Sequence, residues 1–316
     1  MQPLFSSSGD MLADRRYEYA RDLWSEGDVS AAIDLVMQAL ERAPRFAAAW
    51  FLFGEIRERL KDSAAAIDAY RQALGADPGD RHGAALRLAR LGVKAARLPM
   101  SPAYVQALFD QYAPRFDKAL TEDLAYRGPK LMFDATFEAC EAIGRERWFD
   151  KAFDLGCGTG LAGQAFAGRI DSLEGVDLSS RMAELARRRG CYSAVHVGDM
   201  VGFLRERGTD NADLLIAADS LIYLDELEPL FAEAARVLEQ HGLFVFTIET
   251  HDGEGGILGE KLRFQHARDY VCGALEAAGL TPVVLRHASI RVDGNIPVPG
   301  LVVVAEQRDR PPPPIE

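Results

Sequence analysis

Four carboxylates stand at the ends of successive apolar segments, and a run of glycines follows the first of them. The four are spaced by 23, 22 and 20 residues and are Asp154, Asp177, Asp199 and Asp219. Each interval is long enough for one strand and one helix, and in a parallel sheet the strand ends share one edge. Residues 153–160 read FDLGCGTG. Glycines there allow a sharp turn and a close approach of a ligand to the backbone, while the acids accept hydrogen bonds. The pattern predicts a site for a nucleotide-like ligand.

Two ligand classes fit a glycine-rich turn at the end of a strand. A dinucleotide site favours G-x-G-x-x-G, but Leu161 occupies the place of the third small residue. Asp154 directly before Gly156 is also a poor neighbour for a pyrophosphate, because like charges repel. It suits a cationic group such as the ammonium of an amino acid.

The glycine run resembles the first motif of class I S-adenosylmethionine-dependent methyltransferases, and the resemblance covers about residues 129–306. It implies an α/β fold, with a Rossmann-like seven-stranded sheet that is mostly parallel and has an antiparallel last strand. It also implies S-adenosylmethionine as cofactor and methyl transfer by in-line displacement.

The resemblance gives individual residues their expected roles. Asp154 and Gly156 would lie near the methionine part of the cofactor, and Gly158 would let the chain pass close to it. Asp177 would accept both ribose hydroxyls. Asp199 would accept from the adenine amino group. The remaining residues expected at the cofactor are Cys157, Gly160, Leu178, Met200 and Ala218. A solvated strand-end acid at Asp177 and an ordinary turn at Asp199 are the alternatives.

Aromatic residues recur along one predicted helical face before the sheet, at Tyr104, Phe109, Tyr112 and Phe116. A similar segment in many small-molecule methyltransferases folds over the cofactor. The resemblance therefore places Tyr112 and Phe116 over the sulfonium, which aromatic faces attract. The alternative is that these rings form the core of a docking helix.

A general base is needed only if the methyl acceptor must lose a proton. The candidates at the carboxyl edge are Asp219, Glu249, His251 and His266, and the histidines suit this role because an imidazole titrates near neutral pH. The alternative for Asp219 is a helix-capping or loop role. The alternative for each histidine is a surface or capping role. Arg263 is interpreted as a surface ion pair or as a clamp for a substrate carboxylate.

The composition is that of an acidic globular enzyme. The chain has 316 residues and a formal net charge of −12, which disfavours a nucleic-acid substrate. Its four cysteines lie far apart, so we expect reduced thiols, a cytoplasmic location and no metal site. The sequence has no signal-peptide pattern and no membrane-spanning segment, so no membrane association is expected.

The N-terminal third contains two helical segments that align at an offset of 34 residues. The aligned pairs are Ala20 with Gly54, Ala32 with Ala66, Ala39 with Ala73, and Pro44 with Pro78. This pattern resembles tetratricopeptide repeats. The expected organisation is a disordered N-terminus (1–12), helical repeats (13–97), a linker with covering helices (98–128), the methyltransferase domain (129–307) and a disordered proline-rich tail (308–316).

The resulting hypothesis is a methyltransferase that acts on a small molecule or a protein and forms a possible homodimer through its repeats. A repeat scaffold that binds the cofactor without catalysis is the alternative, and an NAD-dependent oxidoreductase is a third interpretation. The sequence does not identify the acceptor.

Overall fold

Helices make up the N-terminal part of the chain. The computed structural model describes residues 7–93, 100–118, 126–293 and 296–308, and it divides into two units at Gln111 and Tyr112. The helices of this part are α1 (Met11–Glu26), α2 (Val29–Arg42), α3 (Ala47–Arg59), α4 (Ser63–Ala76), α5 (Ala84–Arg90) and α6 (Pro102–Tyr112). The expected linker residues 98–99 and most of the tail lie outside the described residues, as do residues 1–6.

The second helix of each repeat begins in the same way. Asp28 accepts a hydrogen bond from the Ala31 N–H at 3.1 Å and caps α2, and Asp62 accepts from the Ala65 N–H at 3.2 Å and caps α4. The two caps are 34 residues apart. A side-chain oxygen at this position satisfies an N–H that has no partner within the helix. The predicted repeat is therefore confirmed in the helix starts.

Equivalent core positions of the two repeats hold side chains of compensating size. Gly54 of α3 packs against the Tyr70 ring, to which a Cβ on Gly54 would approach within 2.6 Å. The equivalent residues of the first repeat are Ala20 and Val36, and both are fully buried. The larger residue of one repeat, Tyr70, thus corresponds to a smaller one, Val36, and Gly54 corresponds to the slightly larger Ala20, in the same apolar cluster as Val36.

Gly54→Ala is expected to destabilise the helical repeats by about 1–3 kcal/mol, because the added methyl overpacks the helix pair. Chemical denaturation of the full chain measures the loss. The variant Gly54→Ala with Tyr70→Val restores the Ala20–Val36 combination and should recover part of the stability. Equal stability of Gly54→Ala and the unsubstituted protein would contradict the assignment.

A mixed sheet forms the centre of the second unit. Among the described residues its principal strands lie in the order β3 (Ala194–Val197), β2 (Ile170–Asp177), β1 (Phe149–Leu155), β4 (Ala212–Ala217), β5 (Leu238–Glu249), β11 (Gly300–Gln307) and β8 (Leu280–His287). Neighbours from β3 to β5 pair in parallel, whereas β11 is antiparallel to β5 and β8. The predicted sheet with its antiparallel last strand is confirmed. The strand order reverses beside β1, which is where such sheets bind ligands.

The described part of the chain contains four short strands that the sequence analysis did not predict. β6 (Gly256–Leu258) and β7 (Phe264–His266) form a hairpin that attaches to the end of β5 through Glu249 and Gln265. A separate pair consists of β9 (Val292–Asp293) and β10 (Ile296–Pro297). The hairpin brings the segment after β5 back to the carboxyl edge of the sheet.

Helices cover both faces of the sheet. The short α7 (Phe116–Lys118) precedes α8 (Gly128–Ile143), and α8 packs on one face with α9 (Leu161–Phe166). The other face carries α11 (Met200–Arg205), α12 (Glu228–Val237) and α13 (Arg268–Ala277). α10 (Ser180–Arg188) packs beside β3. In the part of the chain that the structure describes, no helix has the length and apolar character needed to cross a membrane.

Candidate active site

The glycine run forms the turn between β1 and α9. Gly156 has φ 72° and Gly158 has φ 54°, a left-handed conformation that favours glycine. A Cβ on Gly156 would lie 2.6 Å from the Ser220 Cβ, so this glycine is required by packing. At Gly158, a Cβ would meet Phe116 Cε1 at 3.8 Å and no other described residue within 4 Å. The turn is therefore closed at its first glycine and open at its second.

Asp177 holds this turn from the end of β2. Its carboxylate accepts from the Gly158 N–H at 2.8 Å and from the Ser179 N–H at 2.8 Å. The residue is 9 % exposed. An ionised carboxylate can accept about four hydrogen bonds, so these contacts are compatible with a further role toward ribose hydroxyls. That role stays a prediction.

The start of α11 lies beside the same turn. Asp199 accepts a hydrogen bond from the Gly202 N–H at 2.8 Å and caps the helix, a role that the sequence analysis did not consider for it. Met200 places its Cε 3.4 Å from the position of a Cβ on Gly156, so it borders the turn. Leu178 follows Asp177 and is partly exposed. Contacts of these residues with adenine stay predictions.

Asp154 lies beneath the turn and is fully buried. It accepts a hydrogen bond from the Tyr192 hydroxyl at 2.7 Å, and Tyr192 fits because Gly163 and Gly175 leave room for its ring. Burial raises the pKa of Asp154 to about 7, although the bond from Tyr192 opposes the rise. The carboxyl group that is predicted to contact the cofactor's ammonium is therefore buried below the protein surface.

Cys157 and Gly160 complete the turn. Cys157 is 6 % exposed, and burial raises its pKa well above the usual range. A thiol that is held neutral is a poor nucleophile, which favours a packing role over a redox role. Gly160 has φ 89° and caps α9, and a Cβ there would lie 2.9 Å from the Tyr192 ring.

The segment that the sequence predicts as a lid reaches the open side of the turn. Phe116 is the residue that faces Gly158. Asp117 accepts hydrogen bonds from the Thr159 hydroxyl and from the Arg189 guanidinium, which attaches α7 to the turn. Tyr112 is half-buried at the end of α6. The structure thus places Phe116 beside the site, and its contact with a sulfonium stays a prediction.

Charged side chains gather at the ends of β4 and β5, next to Ser220. Arg291 pairs with both Asp219 and Glu249 and is 3 % exposed. Asp219 has φ 58°, and its N–H donates to the Thr247 hydroxyl at 2.8 Å. Its Oδ1 atom is buried and has no hydrogen-bond partner among the described residues. A carboxylate oxygen therefore stays available for a donor that the described chain does not supply, while Ala218 before it is partly exposed.

A second arginine and two phenols extend this charged group. Arg263 lies 3.6 Å from Glu249 and donates to Tyr223. Burial raises the pKa of Tyr223 and of Tyr126, and the negative charge of Asp219 adds to both effects. Both phenols therefore stay neutral and can donate hydrogen bonds. Arg263 forms an ion pair, as one interpretation expected, but its partner Glu249 is buried and 27 % of the Arg263 side chain is exposed.

His251 organises the loop that follows β5. Its Nδ1 accepts from the Gly253 N–H at 3.0 Å, so its Nε2 carries the proton and donates to the Gly255 carbonyl at 3.1 Å. Both ring nitrogens are used within the loop. This geometry favours the capping role over the predicted role as a base.

His266 is fully buried at the end of β7. Its Nε2 donates to the Leu224 carbonyl at 3.0 Å, and its Nδ1 has no hydrogen-bond partner among the described residues. Burial lowers the pKa of the imidazole and keeps it neutral. A bare Nδ1 could accept a proton, but the ring stacks on Tyr270 inside the protein. Its role as a base stays a prediction that this burial disfavours.

The comparisons with known proteins agree with this geometry. Residues 153–246 match the methyltransferase domain family, and residues 17–81 match the tetratricopeptide repeat family. The chain combines tetratricopeptide repeats with a class I methyltransferase domain. The resemblance inferred from the glycine run and from the 34-residue offset is therefore confirmed, and the domain implies S-adenosylmethionine as its cofactor.

Solved structures share the fold of the second unit. The 1,6-didemethyltoxoflavin N1-methyltransferase of Burkholderia thailandensis is 20 % identical, with a TM-score of 0.52 over 68 % of this chain and 93 % of that chain. The (4+2)-cyclase SpnF is 17 % identical, with a TM-score of 0.52 over 66 % and 97 %. An uncharacterized protein of Methanocaldococcus jannaschii is 26 % identical over 145 residues, which are 46 % of this chain and 62 % of that protein. The chain thus spans less than two thirds of that relative.

The residues at the glycine turn fit S-adenosylmethionine. The space over Gly158 leaves a ligand access to the backbone, and the Asp177 carboxylate stands at the end of the next strand. Acidic groups suit a ligand with a sulfonium and an ammonium. Among the described residues, no three His, Cys, Asp or Glu side chains are placed to hold a metal ion.

Proposed function

We propose that this protein transfers a methyl group from S-adenosylmethionine to a small molecule that binds at the ends of β4 and β5. The observation that carries the proposal is the position of Asp219 beside the glycine turn. Ser220 packs against Gly156, and its neighbour Asp219 presents an oxygen without a donor. The glycine turn proposed to bind the cofactor thus lies next to Asp219 Oδ1, an oxygen that can accept a further hydrogen bond.

The cofactor and the chain have separate parts in this reaction. When bound, S-adenosylmethionine would supply an activated methyl group: the acceptor's lone pair would bond to the methyl carbon as the carbon–sulfur bond breaks, and S-adenosylhomocysteine would leave. An O–H or N–H acceptor would also give one proton to Asp219 or to water. The glycine turn, Asp177 and Phe116 bind and cover the cofactor. Alignment and exclusion of water are the main contributions that a protein makes to such a displacement.

Asp219 has the part of orienting the acceptor. A carboxylate with an unused oxygen accepts a hydrogen bond from an O–H or N–H of the acceptor and can take its proton. Arg291 fixes this carboxylate by holding Asp219 and Glu249 together. An orienting group works best when its own position is locked by neighbours. The proposal therefore uses Asp219 in place of the two histidines.

Calorimetric titration with S-adenosylhomocysteine, with NAD as control, tests the cofactor half of the proposal. Micromolar binding of S-adenosylhomocysteine, and none of NAD, is expected. Release of S-adenosylhomocysteine over a panel of hydroxy and amino compounds tests the other half. No binding of S-adenosylhomocysteine by folded protein contradicts the proposal. Binding without turnover favours the repeat scaffold.

Asp177→Ala is expected to weaken S-adenosylhomocysteine binding by about 1–3 kcal/mol, because ribose hydroxyls lose their acceptor and Gly158 loses its support. Titration calorimetry measures the loss. Asp150→Ala is the matched control, since Asp150 is exposed on β1. Unchanged affinity in Asp177→Ala would remove Asp177 from the cofactor site.

A further inference from the structure

Arg263 differs from the other arginine of the charged group in its surroundings. The Arg291 side chain is 2 % exposed and contacts two carboxylates directly, whereas the Arg263 side chain is 27 % exposed and lies 3.6 Å from one of the same carboxylates. Glu249 is thus shared between two arginines. Arg263 combines a loose ionic contact with access from outside.

The backbone holds Arg263 in place at this position. The Gly259 N–H donates to the Arg263 carbonyl at 2.8 Å and closes the turn between β6 and β7. Leu262 before it has φ 56°, the left-handed conformation of that turn. Tyr223 accepts a hydrogen bond from the guanidinium. The group is therefore preorganised for a ligand, since little motion is needed to present it.

The charges around Arg263 balance before any ligand enters. The negative groups are Asp219, Glu249 and Asp293, and the positive groups are Arg263, Arg291 and Lys261, which pairs with Asp293 at 2.8 Å. A singly charged anion at Arg263 leaves one excess negative charge beside Asp219 and Glu249, whereas a doubly charged phosphate leaves two. The smaller excess costs less free energy in a group that is largely buried.

We propose that the acceptor is a small carboxylic acid whose carboxylate binds Arg263 and whose O–H or N–H faces Asp219. The guanidinium presents parallel N–H donors that match a carboxylate. A molecule with both groups bridges Arg263 and Asp219, so its nucleophile is held beside the glycine turn. This inference rests on the proposed function and names the substrate class of the same site.

Matched acid and amide pairs test the inference on the full chain saturated with S-adenosylhomocysteine. The probes are salicylate with salicylamide, anthranilate with anthranilamide, and glycine with glycinamide. At least one acid is expected to bind about tenfold or more tightly than its amide, because bonds to a charged partner are stronger. Calorimetry or thermal stabilisation of the complex measures the difference, and it needs no turnover.

Variants of Arg263 test whether this residue causes the difference in affinity between each acid and its amide. Arg263→Gln should abolish the preference for the acid, Arg263→Lys should keep part of it, and Arg268→Gln, at an exposed position at the start of α13, should keep all of it. S-adenosylhomocysteine binding by each variant verifies that the site is folded. Equal binding of every acid and its amide overturns the inference, as does a preference that survives Arg263→Gln. Failure to bind S-adenosylhomocysteine instead overturns the proposed function and the inference with it.

Discussion

Gly158→Ala is expected to lower the affinity for S-adenosylhomocysteine at least about tenfold, or 1.4 kcal/mol, and to destabilise the fold less than Gly156→Ala does. The added methyl projects into the open side of the turn. Among the described residues, the one atom within 4 Å of this methyl is Phe116 Cε1, at 3.8 Å. The protein therefore accommodates it without a clash, at the cost of about 1–2 kcal/mol for an alanine in the left-handed region. A ligand that passes close to this backbone loses the space. Calorimetry and chemical denaturation measure the two effects.

Gly156→Ala is the matched control for this prediction. Its methyl would lie 2.6 Å from the Ser220 Cβ, so the variant should lose about 3 kcal/mol or more of stability through overpacking and backbone strain. The two substitutions are chemically the same and lie two residues apart. If Gly158→Ala binds S-adenosylhomocysteine normally, the cofactor does not approach the turn over Gly158.

The sheet and its carboxyl edge could be predicted because their signals are local. Each apolar strand followed by an acid marks one end of a strand, and parallel pairing then brings Asp154, Asp177 and Asp219 to one edge. The 34-residue offset likewise predicted the repeat, and the structure adds that Asp28 and Asp62 cap equivalent helices of its two copies. Short-range patterns of this kind follow from backbone geometry.

The part of the site proposed to bind the methyl acceptor depends on ion pairs between residues that are far apart in the sequence. No local sequence pattern indicates such pairs. Arg291 is 72 residues from Asp219 and 42 from Glu249 along the chain. Tyr126 and Tyr223 enter the same group from two further segments. The β6–β7 hairpin, which presents Arg263, was not predicted from the sequence. The sequence offered Arg263 as an ion pair or as a carboxylate clamp, but no local pattern indicated that it shares Glu249 with Arg291.

From the sequence alone, a polar residue at a strand end can be assigned either to ligand binding or to capping of nearby backbone groups. The structure is needed to distinguish the two roles. Asp199 stands where the resemblance expects an adenine contact, yet its carboxylate caps α11. His251 stands at the carboxyl edge, yet both its nitrogens bind the loop backbone. Small polar residues at strand ends satisfy nearby backbone groups as readily as ligands do.

Asp154→Asn is expected to remove a pH dependence of stability that extends from about pH 4 to about pH 7. The folded protein raises the pKa of Asp154 from 3.8 to about 7, because burial disfavours the charged carboxylate. The folded state then binds the proton more tightly than the unfolded state. The contribution of Asp154 to stability is full below about pH 4 and is lost as the pH rises to about 7. The loss amounts to up to roughly 4 kcal/mol, the free energy of a pKa moved from 3.8 to about 7.

Urea denaturation of both proteins across this pH range measures the effect. Asparagine cannot ionise but can still accept the hydrogen bond from Tyr192, so the variant should lack this decline and exceed the unsubstituted protein above about pH 7. Tyr192→Phe removes the donor that stabilises the carboxylate, and its decline should move to higher pH. Parallel stability profiles of Asp154→Asn and the unsubstituted protein would mean that the carboxyl group is charged in the folded state throughout.

The same pair of proteins tests whether Asp154 senses the cofactor. If the ammonium of S-adenosylhomocysteine lies near Asp154, binding favours the carboxylate and lowers its pKa. By linkage, affinity should then rise between about pH 5 and pH 7 in the unsubstituted protein and stay level in Asp154→Asn. An affinity that depends on pH equally in both proteins would assign Asp154 to the support of the turn alone, because a buried group that does not meet the ligand cannot couple its proton to binding.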